Sequence, residues 1–436
     1  MMMNRRKTDI TSIGQEEEKN KKSSGEQPLQ ISQERKVELV SSIENVGIIE
    51  KKDNNYYYQE LKTSRWYDLM YGRKIRDIIN EKKFINRSGG QFNNNNNNNN
   101  NNEQLQGKLL VSFSAHLTNV GDALRMLKEN GLYAAPVFDE TLGTGEKNAN
   151  VCNYLGMVGV YEILAYLLAF FKDPKMVDTI VGKIKISTWN DSVDKTKNQD
   201  NDPVDKWSQF FKHTPIIDVL DALSSKRYKP YRVYLNDSMA FLCKILDQTN
   251  YSRVPVIDHD QIISMVSTSD LIRSIVYHRE KLPSLFFTEL GAFEHELIDT
   301  DYITATDDIK TAYVFDQLES KGKQSAAIVD SKTGSIHANF SITDIKGIVD
   351  TNIHDLQLSI KEFLSIHRSI SKIGPITVTK ETALIDMFKL MVDNQIHGIW
   401  VTSVDDPIIK TVGFVSYPSI IKFIYHLIQL SSQSNI

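Results

Sequence analysis

The chain has 436 residues, of which 24% are charged and 41% hydrophobic, and its formal net charge is only −4. That length suits two or three globular domains, and a nearly balanced charge excludes nucleic-acid binding driven by bulk electrostatics. The two cysteines, Cys152 and Cys243, exclude a disulfide framework and fit a reducing compartment.

Residues 1–60 are rich in Lys, Glu, Ser, Gln and Asn and too poor in apolar residues to form a core, which predicts a disordered tail. The opening MMMNRRKTDI has no apolar stretch behind its basic residues, so no signal peptide is expected. Met at position 2 does not match an N-myristoylation signal. Tyr71–Asn80 (YGRKIRDIIN) reads as the lead-in to a first repeat. Ten consecutive asparagines, Asn93–Asn102, predict a surface loop, and a long loop costs little in closure entropy. GDALRMLKENG, from Gly121, is an amphipathic helix followed by the strand AAPVFD (Ala134–Asp139). Tyr154–Phe171 is long enough to span a membrane, but Glu162 lies in its middle, where a charge is costly. A buried strand, YLGMVGV, running into a buried helix, EILAYLLAFF, fits better. Asp191–Pro203 reads as a third polar segment, an exposed loop.

The same plan then recurs. Helices with apolar residues near i, i+3, i+4 and i+7 start at Ser238, Ile309 and Ala383. Asp307, Asp308 and Thr382 suit N-caps. Strands follow at RVPVID (Arg253–Asp258), SAAIVD (Ser325–Asp330) and GIWVTS (Gly398–Ser403). Second strands with helix starts are LGMVGVYEIL (from Leu155), ISMVSTSDLI (from Ile263), HANFSITDIK (from His337) and VGFVSYPSII (from Val412). Asp258 to Asp330 spans 72 positions and Asp330 to Ser403 spans 73. A unit too small to bury both its faces pairs with a neighbour, so four units make two pairs.

No phosphate-binding GxxxxGK[ST] loop, HExxH, CxxC or GxSxG motif occurs. GTGEK at Gly143–Lys147 lacks the spacing, and the ten histidines lack metal-ligand spacing. No catalytic and no metal residues are expected. The repeats use up the foldable chain, which disfavours an enzyme, a channel or a transporter.

The plan resembles the cystathionine-β-synthase (CBS) domain, which usually works in tandem pairs called Bateman modules. The resemblance covers most of the chain from about Trp66. Four repeats in one chain look like the γ regulatory subunit of AMP-activated protein kinase. Ala134–Asp139 and Ile396–Val401 (IHGIWV) are the nearest local matches. The resemblance implies an α/β fold of four β-α-β-β-α repeats in two Bateman modules: repeat one at 66–172, interrupted by the asparagine loop, then 205–280, 285–350 and 355–430. It implies adenine nucleotides (AMP, ADP, ATP) in clefts between paired repeats, kinase catalytic and scaffold subunits as partners, neither nucleic acid nor membrane, and a cytoplasmic place, with the nucleus also open to it.

In that family a Ser/Thr-x-x-Asp pair at the end of the second strand supplies a hydroxyl and the ribose carboxylate. Ser267 with Asp270 and Ser341 with Asp344 keep it; the same spacing is a helix capping box. Gly159 with Glu162 and Ser416 with Ser419 depart from it, so at most two good sites are expected. Arg253 and His397 stand just before their strands, where the family places phosphate contacts. Repeat one has Tyr133 there, Gly398 stands where the kinase subunits usually have Arg, and repeat three offers Lys321 and Lys323. Thr304 matches a position that often contacts nucleotide. Two other readings are a ligand-free interaction scaffold and a sensor of another adenosyl ligand, such as S-adenosylmethionine.

Overall fold

The computed structural model describes residues 60–61, 64–87, 110–142, 153–172, 211–227, 231–249, 251–259, 261–348, 352–368, 374–403 and 410–432. The expected tail up to residue 59, the asparagine run and the segment 191–203 lie outside them.

A lead-in helix α1 (Ile75–Arg87) comes first. The first repeat then comprises β1 (Phe113–Ser114), α2 (Val120–Glu129), β2 (Ala134–Phe138), β3 (Tyr154–Gly159) and α3 (Val160–Lys172). A second lead-in, α4 (Ile216–Arg227), precedes β4 (Val233–Tyr234), α5 (Met239–Thr249), β5 (Arg253–Asp258), β6 (Gln261–Ser267) and α6 (Thr268–Tyr277). Short helical turns over 284–297 lead to β7 (Ile303–Thr306), α7 (Thr311–Ser320), β8 (Ser325–Val329) and β9 (Ile336–Ser341). A last lead-in, α8 (Ile360–His367), precedes β10 (Thr377–Val378), α9 (Leu384–Asp393), β11 (Gly398–Thr402), β12 (Thr411–Ser416) and α10 (Tyr417–Ser432). After β9 the chain enters a 3₁₀ helix, Ile342–Gly347, where the other repeats continue as α-helix.

Each repeat folds into one three-stranded sheet. Its first strand pairs parallel with its second, and the second pairs antiparallel with the third. The antiparallel ladder shifts register at the same place in all four: Val137/Phe138, Val256/Ile257, Ile328/Val329 and Val401/Thr402. Such a bulge re-aims the strand end. The helices bury the faces their periodicity announces; in α2 these are Val120, Ala123, Leu124 and Leu127. Among the described residues no helix is long and apolar enough to cross a membrane.

The sheets pair as two modules. Tyr154 and Met157 of β3 meet Ile257 and Ile262 of the second repeat. Ala327 and Ile336 of the third repeat meet Trp400 and Phe414 of the fourth. Helices join the modules crosswise: repeats one and three share one continuous core, while α5 packs on α10 and α6 on α9.

Every lead-in crosses to its module partner. The segment before α1 bridges Lys74 to Ser238 of repeat two, and α1 packs on α6. The segment before α4 bridges Pro215 to Asn119 of repeat one, Glu289 bridges to Ala383 of repeat four, and Ser359 bridges to Lys310 of repeat three. The lead-in at 71–80, next to the first sheet in sequence, is therefore part of the second repeat in space.

The crossings also alter the helix starts. The expected caps Asp307, Asp308 and Thr382 do not cap; the N-cap positions are Lys310 and Ala383, with no side-chain bond. The first helical N–H groups instead donate to carbonyls of the crossing strand. Val120 N–H reaches Thr214 O (2.9 Å), Met239 Arg73 O (3.2 Å), Thr311 Leu358 O (2.9 Å) and Leu384 Thr288 O (3.0 Å). A first-turn donor that helix geometry leaves unsatisfied is thus met by backbone; α7 and α9 have no side-chain cap beside it, whereas Asn119 and Ser238 also cap α2 and α5.

Candidate functional site

Asp270 sits at the start of α6 and is buried. Its Oδ2 accepts from Ser267 N–H (2.9 Å), Ser267 Oγ–H (2.7 Å) and Lys82 Nζ (2.9 Å); its Oδ1 accepts from Arg273 Nη1 (3.1 Å). Burial pushes its pKa up, but Lys82, the Ser267 hydroxyl and Arg273 outweigh this and hold it below the ordinary carboxylate value. The capping box is complete. Lys82 comes from α1, the crossing lead-in.

Asp344 repeats this arrangement after β9. Its Oδ2 accepts from Ser341 N–H (2.8 Å) and Ser341 Oγ–H (3.2 Å). The Arg368 guanidinium grips both oxygens, Nε to Oδ1 at 2.7 Å and Nη2 to Oδ2. Arg368 Nη1 also donates to the Asn339 carbonyl (2.7 Å). Arg368 directly follows α8, again a crossing lead-in. Thr304 is exposed on β7, in one row across the sheet with Ala327 and Asn339.

Between these carboxylates all four repeats meet. Tyr133 precedes β2, Arg253 opens β5, Lys346 lies two positions past Asp344, and His397 precedes β11. Lys346 Nζ stands over the Tyr133 ring at 4.2 Å and donates to Leu132 O at 3.3 Å. The Tyr133 and His397 rings meet edge-on at 4.1 Å, and His397 lies 5.2 Å from Tyr417. Arg253 Nη1 donates to Ala134 O (3.3 Å), while its Nε is buried without a hydrogen-bond partner. Burial lowers the pKa values of Arg253 and Lys346. Burial, with Arg253 and Lys346 adding to it, drives His397 down to about 4, so the imidazole is neutral near pH 7. A partly buried guanidinium whose Nε has no partner, beside a partly buried ammonium, has the donors and charge to receive an anion.

Among the expected site residues, Arg253, Asp270, Asp344 and His397 converge here, with Ser267 and Ser341 as the caps of the two acids; Thr304 stands in the row of the third sheet whose Ala327 and Asn339 meet Trp400 of repeat four. Lys346, Arg368, Lys82 and Tyr417 were not expected. Lys346 had a local signal, standing two residues beyond a Ser-x-x-Asp pair. Lys323, expected nearby, instead pairs with Asp299 and Asp301 on the surface (2.8 and 3.2 Å).

The outer repeats depart for steric reasons. A Cβ on Gly159 would lie 2.4 Å from the Tyr133 carbonyl oxygen, so no serine fits there, and Glu162 takes the longer route to cap Gly159 N–H at 2.9 Å. In repeat four, Ser419 Oγ accepts from Ser416 N–H (3.1 Å), a cap without charge. A Cβ on Gly398 would lie 2.1 Å from the Phe414 ring. Phe414 fills the space an arginine at 398 would need, and packs at a tilt on Trp400 (4.5 Å), which meets Tyr302 edge-on (5.7 Å). Among the described residues no group of three His, Cys, Asp or Glu side chains could hold a metal ion.

The four sheets share one plan and pair as two modules, and three of the four repeats place an acid just past the third strand. The CBS domain family model matches residues 222–277 and 368–426, so the second and fourth repeats carry CBS-domain matches. CBS domains are often regulatory modules that take nucleotides or other adenosyl ligands. Similar solved structures include a Methanocaldococcus jannaschii protein described as a proposed archaeal homologue of γ-AMPK: 16% identical, covering 73% of this chain and 97% of that one, TM-score 0.48. A conserved Pyrococcus horikoshii protein is 13% identical over 67% of this chain and 91% of its own, TM-score 0.38. A CBS domain pair from M. jannaschii, in complex with 5′-methylthioadenosine and S-adenosyl-L-methionine, is 19% identical over 32% of this chain and 96% of its own, TM-score 0.25. Comparison with curated protein sequences gives no match.

Proposed function

We propose that the chain is a non-catalytic regulatory protein that binds adenine nucleotides between its CBS repeats and controls a protein kinase of the AMP-activated type. The observation that carries this reading is the convergence of Arg253, Lys346 and His397, with the buried unpaired Nε of Arg253, between two acids of the kind that hold ribose hydroxyls. The phosphate would lie at the centre and the ribose against Asp270 or Asp344. AMP, ADP and ATP would compete, and a ligand that prefers one arrangement of the repeats shifts the population toward it.

Calorimetry on the full chain tests the nucleotide half. AMP should bind, and Arg253→Met should weaken it by roughly 10- to 100-fold, the worth of one charged hydrogen bond. No heat from folded wild type sinks the reading. An affinity pull-down without kinase catalytic and scaffold subunits sinks the kinase half.

A second reading, a scaffold without ligand, is favoured by one observation: both acids are already satisfied by cations of the chain itself. Phe414 and Trp400 filling the fourth repeat's face of its module point the same way.

A further inference from the structure

Both Ser-x-x-Asp carboxylates are occupied, and each by a cation delivered from a crossing lead-in. Asp344 has donors on both oxygens: Arg368 on Oδ1, and Ser341 with Arg368 on Oδ2. Asp270 is filled likewise by Ser267, Lys82 and Arg273. A ribose diol donates two hydrogen bonds to a carboxylate. In this arrangement Oδ2 of each acid is filled and Oδ1, with one donor, keeps a single lone-pair direction, one fewer than the diol uses, so the ligand and the cation contend for the same oxygens.

The two cations are not random surface residues. Arg368 ends the segment whose Ser359 bridges Lys310 and whose Ile360 and Phe363 are buried with repeat three. Lys82 lies on α1, which packs on α6 and β6. Each therefore ties the position of an outer helix to the state of an inner carboxylate. On α8 the opposite face, Lys361, Glu362, Ser365 and Ile366, is exposed, so a shift of α8 would be presented at the surface.

We propose that Arg368 on Asp344, and Lys82 on Asp270, are latches: a bound nucleoside takes the carboxylate, displaces the cation and frees the lead-in helix α8 or α1. The inference rests on the nucleotide reading above and adds its route of transmission. It also turns the observation favouring a scaffold into a closed state of a sensor. A latch closed most of the time multiplies the intrinsic affinity by the open fraction, so removing it tightens binding.

The test uses the full chain, wild type and Arg368→Gln, with adenosine and AMP as probes. Titration calorimetry gives affinity, and hydrogen exchange follows the amides of 360–367. The latch predicts that AMP speeds exchange of those amides in wild type, and that Arg368→Gln binds adenosine at least about 10-fold tighter than wild type does. Arg368→Lys, which keeps the charge but loses the two-pronged grip, should fall between them, and it carries the test if Arg368→Gln does not fold. If AMP binds wild type while exchange at 360–367 stays unchanged or slows, or if neither variant binds adenosine more tightly, the latch is wrong and nucleotide binding stands. If no variant and no wild type binds either probe, the nucleotide reading itself has failed and the latch falls with it.

Discussion

His397 shows what burial does to a single titratable ring. Tyr133 and Tyr417 enclose it and bring no charge near neutral pH; the groups that act on it are Arg253 and Lys346, both cations. Its pKa in the folded chain is about 4 against an ordinary 6.5. Between those values the unfolded chain binds a proton that the folded chain refuses. Stability from this group is thus fully present above pH 6.5 and is lost as the pH falls toward 4. A shift of that size corresponds to about 3 kcal/mol. Urea unfolding at pH 7 and pH 4.5 should show wild type losing roughly 2 kcal/mol more than His397→Gln. Equal losses in the two proteins would mean that the acid sensitivity lies elsewhere. At this scale the sequence was informative where the chemistry is local. Ser267 with Asp270 and Ser341 with Asp344 were legible because a capping box is written in four consecutive positions. Lys82 was not, since it reaches Asp270 from 188 positions away. Arg368 lies 24 positions from Asp344, beyond a whole helix.

At the scale of elements, strands were legible almost to the residue: RVPVID is β5 from Arg253 to Asp258. Their apolar runs are short and bounded by polar turns. Helix starts misled, because N-cap rules assume that the first N–H groups need a side chain. Here a neighbouring backbone meets them, and a sequence gives no sign of a strand arriving from the partner repeat. The consequence is measurable. First-turn amides of a helix ordinarily exchange fast, having no intrahelical acceptor. The amides of Val120, Met239, Thr311 and Leu384 each donate to a crossing carbonyl. They should exchange as slowly as central strand amides, at least about 100-fold slower than open first-turn amides, because freeing them requires the lead-in to detach. Exchange by NMR or mass spectrometry reads this directly. Rapid exchange at all four would show that the lead-ins detach readily.

At the scale of the whole molecule the question is whether the two modules are two folding units. The sheets say two, since repeats pair one with two through Tyr154, Met157, Ile257 and Ile262, and three with four through Ala327, Ile336, Trp400 and Phe414. The helices say one. Phe113, Leu124, Ile163 and Leu167 of repeat one share a single apolar core with Phe315, Phe340, Ile345 and Phe363 of repeat three. On the other side α5 packs on α10 and α6 on α9. That core is much larger than either sheet contact, and burial of apolar area sets the balance. Cutting the chain between repeats two and three would leave these helix faces open to water, a patch far beyond what a monomer tolerates. The full chain should therefore melt in one transition, with calorimetric and van't Hoff enthalpies agreeing. Residues 285–436 produced alone should self-associate through α7 and the Ile342–Gly347 turn rather than melt as a monomer. Two separate transitions in the full chain, or a monomeric cooperative half, would refute this coupling. If it holds, an event at either acid is felt by both modules: the turn after Asp344 lies in the core shared with repeat one, and α6, which Asp270 starts, packs on α9 of repeat four. Under the nucleotide reading proposed above, a ligand in one cleft would then bias all four repeats at once.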